Sequence, residues 1–141
     1  MPRYLVVANL TLGGEHLLDV LRERAEDPEA RFHVLAPTSA APDGFHMHDE
    51  EEATIDAHRR LKESMRRFGE LGVKEVTGEL GSSRPNDAIG DVIRANTHDT
   101  FDEIILSTLP AGPSKWIAMD LPRRVERSHG IPVTHLEAPK S

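Results

Sequence analysis

Ile104-Ile105-Leu106-Ser107-Thr108-Leu109-Pro110-Ala111-Gly112-Pro113-Ser114-Lys115-Trp116 joins an apolar run to a loop of hydroxyls, proline and glycine, and then to helical sequence. An uninterrupted apolar run bounded by turn residues reads as a strand buried on both faces, the pattern of a parallel sheet covered by helices on each side. The same grammar recurs along the chain. Tyr4 to Ala8 is a first buried run, followed by Gly13-Gly14 and by Leu17, Leu18, Leu21 and Ala25 on one helical face. Arg31 to Ala36 is a second strand, and a Pro/Ala/Ser/Gly-rich loop from Pro37 to about Gly44 is expected to be the least ordered part of the chain. Asp49-Glu50-Glu51-Glu52 opens a long helix with Ala53, Ala57, Leu61, Met65 and Phe68 at helical spacing, ending near Gly69 or Gly72. Its acidic first turn suits the positive end of the helix dipole. Val73 to Leu80 supplies a third strand, and Pro85 opens a helix with Ala88, Ile89, Val92 and Ile93 inward. Glu103 to Ser107 is the fourth strand and Ile131 to Leu136 the fifth.

Strands separated by helices lie parallel in one sheet, with right-handed crossovers that put helices on both faces. The prediction is an α/β fold, a doubly wound parallel sheet of five strands in three α/β/α layers, and one domain over residues 1–141. In such a sheet ligands bind beyond the carboxyl ends of the strands, where the strand order reverses. Asn9 to Gly14, Gly81 to Pro85 and Ser107 to Lys115 are expected to meet there.

Composition narrows the function. A net charge of -7 repels nucleic acid phosphates and anionic lipid, so neither nucleic acid nor membrane is an expected partner. Arg123, Arg124 and Arg127 form a local basic group, but Glu126 interrupts it, and it reads as a solvated face. Without cysteine there is no disulfide framework and no thiolate chemistry. The first apolar run is too short for a signal peptide core or membrane span, so a cytoplasmic protein is expected.

Leu5-Val6-Val7-Ala8-Asn9, Glu103-Ile104-Ile105-Leu106-Ser107 with its Gly/Pro loop, and Gly130-Ile131-Pro132-Val133-Thr134 together resemble a universal stress protein domain across nearly the whole chain. The resemblance implies sheet order 3-2-1-4-5, a homodimer through the last strand, and in many members a bound ATP or AMP. Members that hold ATP have an aspartate after the first strand, then a Gly-x-x-Gly stretch after the fourth, followed by Gly-Ser or Gly-Thr. This chain departs at each position. Asn9 hydrogen-bonds but brings no charge to a magnesium ion, so no metal is expected. The fourth-strand loop has Gly112 as its glycine, and Pro110 and Pro113 remove two backbone donors that would cradle phosphate. The closing pair falls on Met119-Asp120 or Asp120-Leu121. Asp120 with Pro122 predicts a helix restart in which the Asp120 carboxylate caps the free N–H groups that a phosphate would seek. The alternative is a continuous helix through Pro122, supported by Ile117, Leu121 and Val125; it costs about 3 kcal/mol.

Several residues still suit an anionic or nucleotide ligand. Ser107, Thr108, Ser114 and Lys115 offer hydroxyls and a cation beside Asn9 and Gly112. Ala36, Pro37 and Thr38 stand where adenine and ribose would be received. Arg84 could fork onto a phosphate, or be a solvated loop charge beside a helix capped by Ser83. No Walker A sequence, GxGxxG fingerprint or Gly-x-Ser-x-Gly elbow is present. His46-Met47-His48-Asp49-Glu50 has ligand types for a transition metal but reads as a loop entering an acidic helix; His16, His33, His58, His98, His129 and His135 read as scattered polar residues. An apolar edge strand over Ile131 to Leu136 is expected to be covered or paired with a second copy, or else blunted by Pro132 in a monomer.

Three functions follow from these residues. The first is a universal stress protein-like regulatory module with an AMP-like ligand and weakened phosphate recognition. The others are a slow ATP-hydrolysing or phosphate-transferring enzyme, and a ligand-free dimeric interaction protein.

Overall fold

The computed structural model describes residues 2–38, 47–110 and 114–139, with backbone alone at 47–53 and 115. Its five strands are β1 (Arg3–Val7), β2 (Arg31–Pro37), β3 (Glu75–Gly81), β4 (Glu103–Thr108) and β5 (Val133–Glu137). They form one parallel sheet in the order β3-β2-β1-β4-β5. The helices are α1 (Glu15–Arg24), α2 (Met47–Gly69), α3 (Pro85–Ala95), α4 (Lys115–Ala118) and α5 (Leu121–His129). The doubly wound sheet and its strand order agree with the sequence reading. The loop expected to be least ordered lies mostly outside the described residues.

β1 is central because it is apolar on both faces: Leu5, Val6 and Val7 are fully buried. Val6 faces one core with Val34, Ile105, Leu17, Leu21, Leu61 and Phe68, beneath α1 and α2. Leu5 and Val7 face the other with Ile104, Leu106, Ile89, Val92, Leu121 and Val125, beneath α3 and α5. The period-2 alternation of each strand thus divides its side chains between two helical layers.

Several boundaries and caps differ from the sequence reading; β3, for example, begins at Glu75 rather than Val73. β5 begins at Val133 rather than Ile131; pairing there starts with the carbonyl of Pro132, which accepts from the Ile104 amide at 2.9 Å. Ladder bonds need alternating donors, and proline has none to give. The helix after β4 breaks at Asp120, as the Pro122 argument predicts, but the carboxylate cap is not made. Asp120 adopts φ 55° and ψ 41°, makes no side-chain cap bond, and starts α5 through its carbonyl, which accepts from the Arg124 amide at 3.1 Å. A capping side chain reaches the first-turn amides from extended backbone, and left-handed geometry turns it away. Likewise α3 is preceded by Arg84, without a side-chain cap from Ser83.

The N-terminal ends of the strands are closed by charge. Arg24 grips Glu103 through Nε at 2.9 Å and Nη2 at 3.0 Å, and this bonding, opposed by burial, holds the Glu103 carboxyl below its usual range. Arg31 grips Asp99 at 2.6 and 3.0 Å, and Arg3 stacks over Phe101 at 4.4 Å.

Gly81 fixes the approach of α3 to the sheet. A Cβ there would lie 2.9 Å from both Ala88 Cβ and Leu35 Cδ1, whereas one at Gly69 meets nothing within 4 Å. Gly81→Val should therefore lose about 1–3 kcal/mol in urea unfolding through overpacking. Gly69→Ala should gain about 0.4–1 kcal/mol through a less flexible unfolded chain. Equal effects of the two would show that α3 can shift away without cost.

Candidate functional site

The strand order reverses between β1 and β4, so the loops leaving these strands bound the ligand crevice expected of this architecture. Asn9 leaves β1 almost buried, at 6% exposure, and its carboxamide works in two directions. Nδ2 donates to the Pro37 carbonyl at 2.8 Å, while Oδ1 accepts from Arg60 Nη2 at 2.8 Å. An arginine only donates and a carbonyl only accepts, so the two partners fix which end of the amide faces which. An aspartate here would set a carboxylate oxygen against the Pro37 carbonyl. The local packing thus accounts for asparagine at this position.

At the end of β4, Ser107 Oγ lies 2.7 Å from Thr11 Oγ1 and 3.0 Å from His16 Nε2. Ser107 is 1% exposed, so its hydroxyl is enclosed by these partners. The distances resemble a nucleophile and base, but the burial leaves no approach for an incoming carbonyl. Burial pushes His16 below its ordinary pKa, with Asp19 partly opposing, which favours neutral imidazole. On the same strand Thr108 Oγ1 pairs with His135 Nε2 at 2.8 Å. Ser114 Oγ accepts from the Ile117 amide at 3.1 Å and so begins α4.

The remaining expected residues divide. Ala36 is fully buried in the core beside α1 and α2, and Pro37 contributes its carbonyl to Asn9. Thr38 turns to β3: its amide and its hydroxyl both donate to the Gly81 carbonyl, at 3.1 and 3.2 Å. Gly81 to Pro85 therefore joins the end of β2 and does not meet the Ser107 segment. β3 is three strands from β4, about 14 Å at the usual strand spacing. Arg84 is exposed there; its carbonyl accepts from the Ala88 amide at 2.9 Å, while its guanidinium forms no hydrogen bond or ion pair with the described residues. Gly112, His46 and the side chains of His48 and Lys115 lie outside the described residues.

Thr11, His16 and Arg60 hydrogen-bond to the candidate residues Ser107 and Asn9 and were not singled out from sequence. Arg60 carried a usable signal: it sits on the inward stripe of α2 with Ala57, Leu61, Ser64 and Phe68, all buried, where a charge needs a reason. Among the described residues no group of three or more acidic or histidine side chains is placed to hold a metal ion. None of their helices is long and apolar enough to cross a membrane. A separate groove of about 510 Å³ lies at α5 and β5, lined by Pro122, Arg123, Glu126, Arg127 and Val133.

No protein-family model and no curated protein sequence matches the chain. Solved structures do. A universal stress protein from Archaeoglobus fulgidus superposes with a TM-score of 0.63 at 18% identity, over 99% of this chain and 94% of that one. This chain carries the universal stress protein fold. A universal stress protein in complex with cAMP matches with a TM-score of 0.59 at 14% identity, over 98% of each chain. An Arabidopsis thaliana member of that family with AMP bound matches at 0.64 and 10% identity, over 99% of this chain and 93% of that one. At these identities the likeness establishes the fold.

Two histidines give the fold a pH dependence. Burial lowers the pKa of both His16 and His129, so below the ordinary value of 6.5 the unfolded chain binds more protons than the native one. Their contribution to stability is complete above that value and declines as pH falls through the lowered native pKa values. The melting temperature should drop as the pH is lowered past the ordinary histidine value of 6.5, and less steeply in a His16→Gln, His129→Gln double variant. An equally steep drop in the double variant would assign the effect to other groups.

Proposed function

We propose that this chain is a universal stress protein-like regulatory module that takes an adenine nucleotide of the AMP kind in the crevice between the β1 and β4 loops. The observation supporting this reading is the sheet order β3-β2-β1-β4-β5, whose reversal between β1 and β4 lies beside Asn9, Thr11 and Ser107. The AMP and cAMP held by proteins of the same fold support adenine as the recognised base. The residues fit such a ligand only in part. Hydroxyls and a carboxamide are available, but Ser107, Thr11 and Ser114 already serve one another or the backbone, and Pro110 removes a donor from the loop. Asn9 supplies no carboxylate for magnesium.

Calorimetric titration with AMP, cAMP and ATP, each with and without magnesium, tests the reading. AMP or cAMP should bind saturably, with no gain from magnesium. Absence of saturable binding by all three would overturn it.

A homodimer through β5 belongs to the same proposal. The Ala138 amide donates to the Thr108 carbonyl, so even-numbered residues of this strand face β4 and the odd-numbered amides point outward from the sheet edge. Two such edges related by a two-fold axis satisfy each other. Sedimentation should show a dimer for the wild type and a monomer for Glu137→Pro, which removes an outward donor while sparing the core contacts of Val133 and Leu136. A dimer that survives this change would place the interface elsewhere.

A further inference from the structure

Arg60 is unlike most arginines of this protein. Arg3, Arg22, Arg24, Arg31, Arg59, Arg66, Arg67, Arg94 and Arg123 each lie within ion-pair distance of a carboxylate. Arg84, Arg124 and Arg127 are exposed to water. Arg60 has neither compensation in full. It is half-buried, and its one hydrogen bond among the described residues runs from Nη2 to the uncharged carboxamide of Asn9 at 2.8 Å. Its Nε is sealed from solvent without a partner. Arg31 also has a sealed Nε, but Asp99 meets its charge through two hydrogen bonds. Removing a guanidinium from water without a counter-charge costs free energy, and a substitution as simple as glutamine would relieve it.

The three nitrogens of Arg60 differ in a way that suggests use. Nε is closed off, Nη2 is anchored on Asn9, and Nη1 has no partner among the described residues yet is not among the sealed atoms. One end of the planar group is therefore fixed and the other open, at the carboxyl end of β1. Asn9 is itself held by the Pro37 carbonyl, so the chain from β2 through Asn9 to Arg60 aims the open end. An oxyanion is the ligand that would supply both the missing acceptor and the missing charge.

We propose that Arg60 is the anion-recognising residue of the crevice and that it binds the phosphate of a nucleoside monophosphate without a divalent metal. The assignment of the phosphate to a nucleotide rests on the function proposed above; the anion site itself does not. A cation contributed by α2 replaces what the family pattern obtains from a metal and a glycine-rich loop. Asn9 then has a positive role, because a carboxylate in its place would neutralise Arg60 and compete with the incoming phosphate.

The test uses the full chain in EDTA, with AMP, adenosine and pyrophosphate as probes, by calorimetry and thermal shift. AMP should bind about tenfold tighter than adenosine, and pyrophosphate should raise the melting temperature. Arg60→Gln should bring AMP down to the adenosine level and abolish the pyrophosphate shift, while Arg60→Lys should retain part of both. If adenosine and AMP bind the wild type equally and pyrophosphate has no effect, the anion site falls while the adenine reading stands. If pyrophosphate acts through Arg60 but neither adenosine nor AMP binds, the anion site stands and the nucleotide reading falls. Silence of all three probes overturns both. The AMP to adenosine ratio and the pyrophosphate shift are read on the wild type, so a misfolded Arg60→Gln leaves a decisive measurement, with Arg60→Lys as its check.

Discussion

Strand β1 has no side open to water. Leu5, Val6 and Val7 are sealed between two helical layers, and β2 and β4 take up its hydrogen-bonding edges. Polar residues that follow it directly must find partners inside the protein, since an unmatched buried donor or acceptor costs roughly 1–3 kcal/mol. The site follows from that requirement. Asn9 recruits the Pro37 carbonyl and Arg60; Thr11 recruits Ser107, which recruits His16. Through these bonds β1 ties together the ends of β2 and β4, α1 and α2.

The two ends of the sheet solve the same problem differently. At the amino ends of the strands, guanidinium and carboxylate groups pair directly, as in Arg24 with Glu103 and Arg31 with Asp99. At the carboxyl ends the bonds run mostly between hydroxyls, amides and imidazole. A paired charge has little left to offer a ligand, whereas a neutral network can exchange one acceptor for another at modest cost. The helices α1, α3 and α4 also begin at the carboxyl end, so their dipoles add positive potential there. The amino end serves as a clamp, and the proposed site lies at the carboxyl end.

How much of this was legible in the sequence depended on the range of the interaction. β1 and β4 announced themselves because a strand buried on both faces must be apolar throughout, and the helical restart at α5 was readable from Pro122, a local steric fact. The left-handed Asp120 was not readable, since its side chain suggested a cap and only the tertiary path set its backbone. Arg60 with Asn9 and His16 with Ser107 are separated by 51 and 91 residues. No spacing rule reaches so far. The family pattern pointed to Asn9 as a loss, and only the geometry showed what the carboxamide gains: a donor toward Pro37 that a carboxylate lacks.

The sealed Nε and anchored Nη2 of Arg60 carry a thermodynamic consequence. A free arginine on a surface loses much of its rotamer freedom when it grips a ligand, a cost on the order of 0.5–1.5 kcal/mol. Here folding has already removed part of that freedom, because Nε is sealed from solvent and Nη2 is held by Asn9. Association at this position would carry a small entropic penalty and leave the backbone of the crevice nearly where it began. Recognition of that kind resembles a key meeting a finished lock, with the selectivity set during folding.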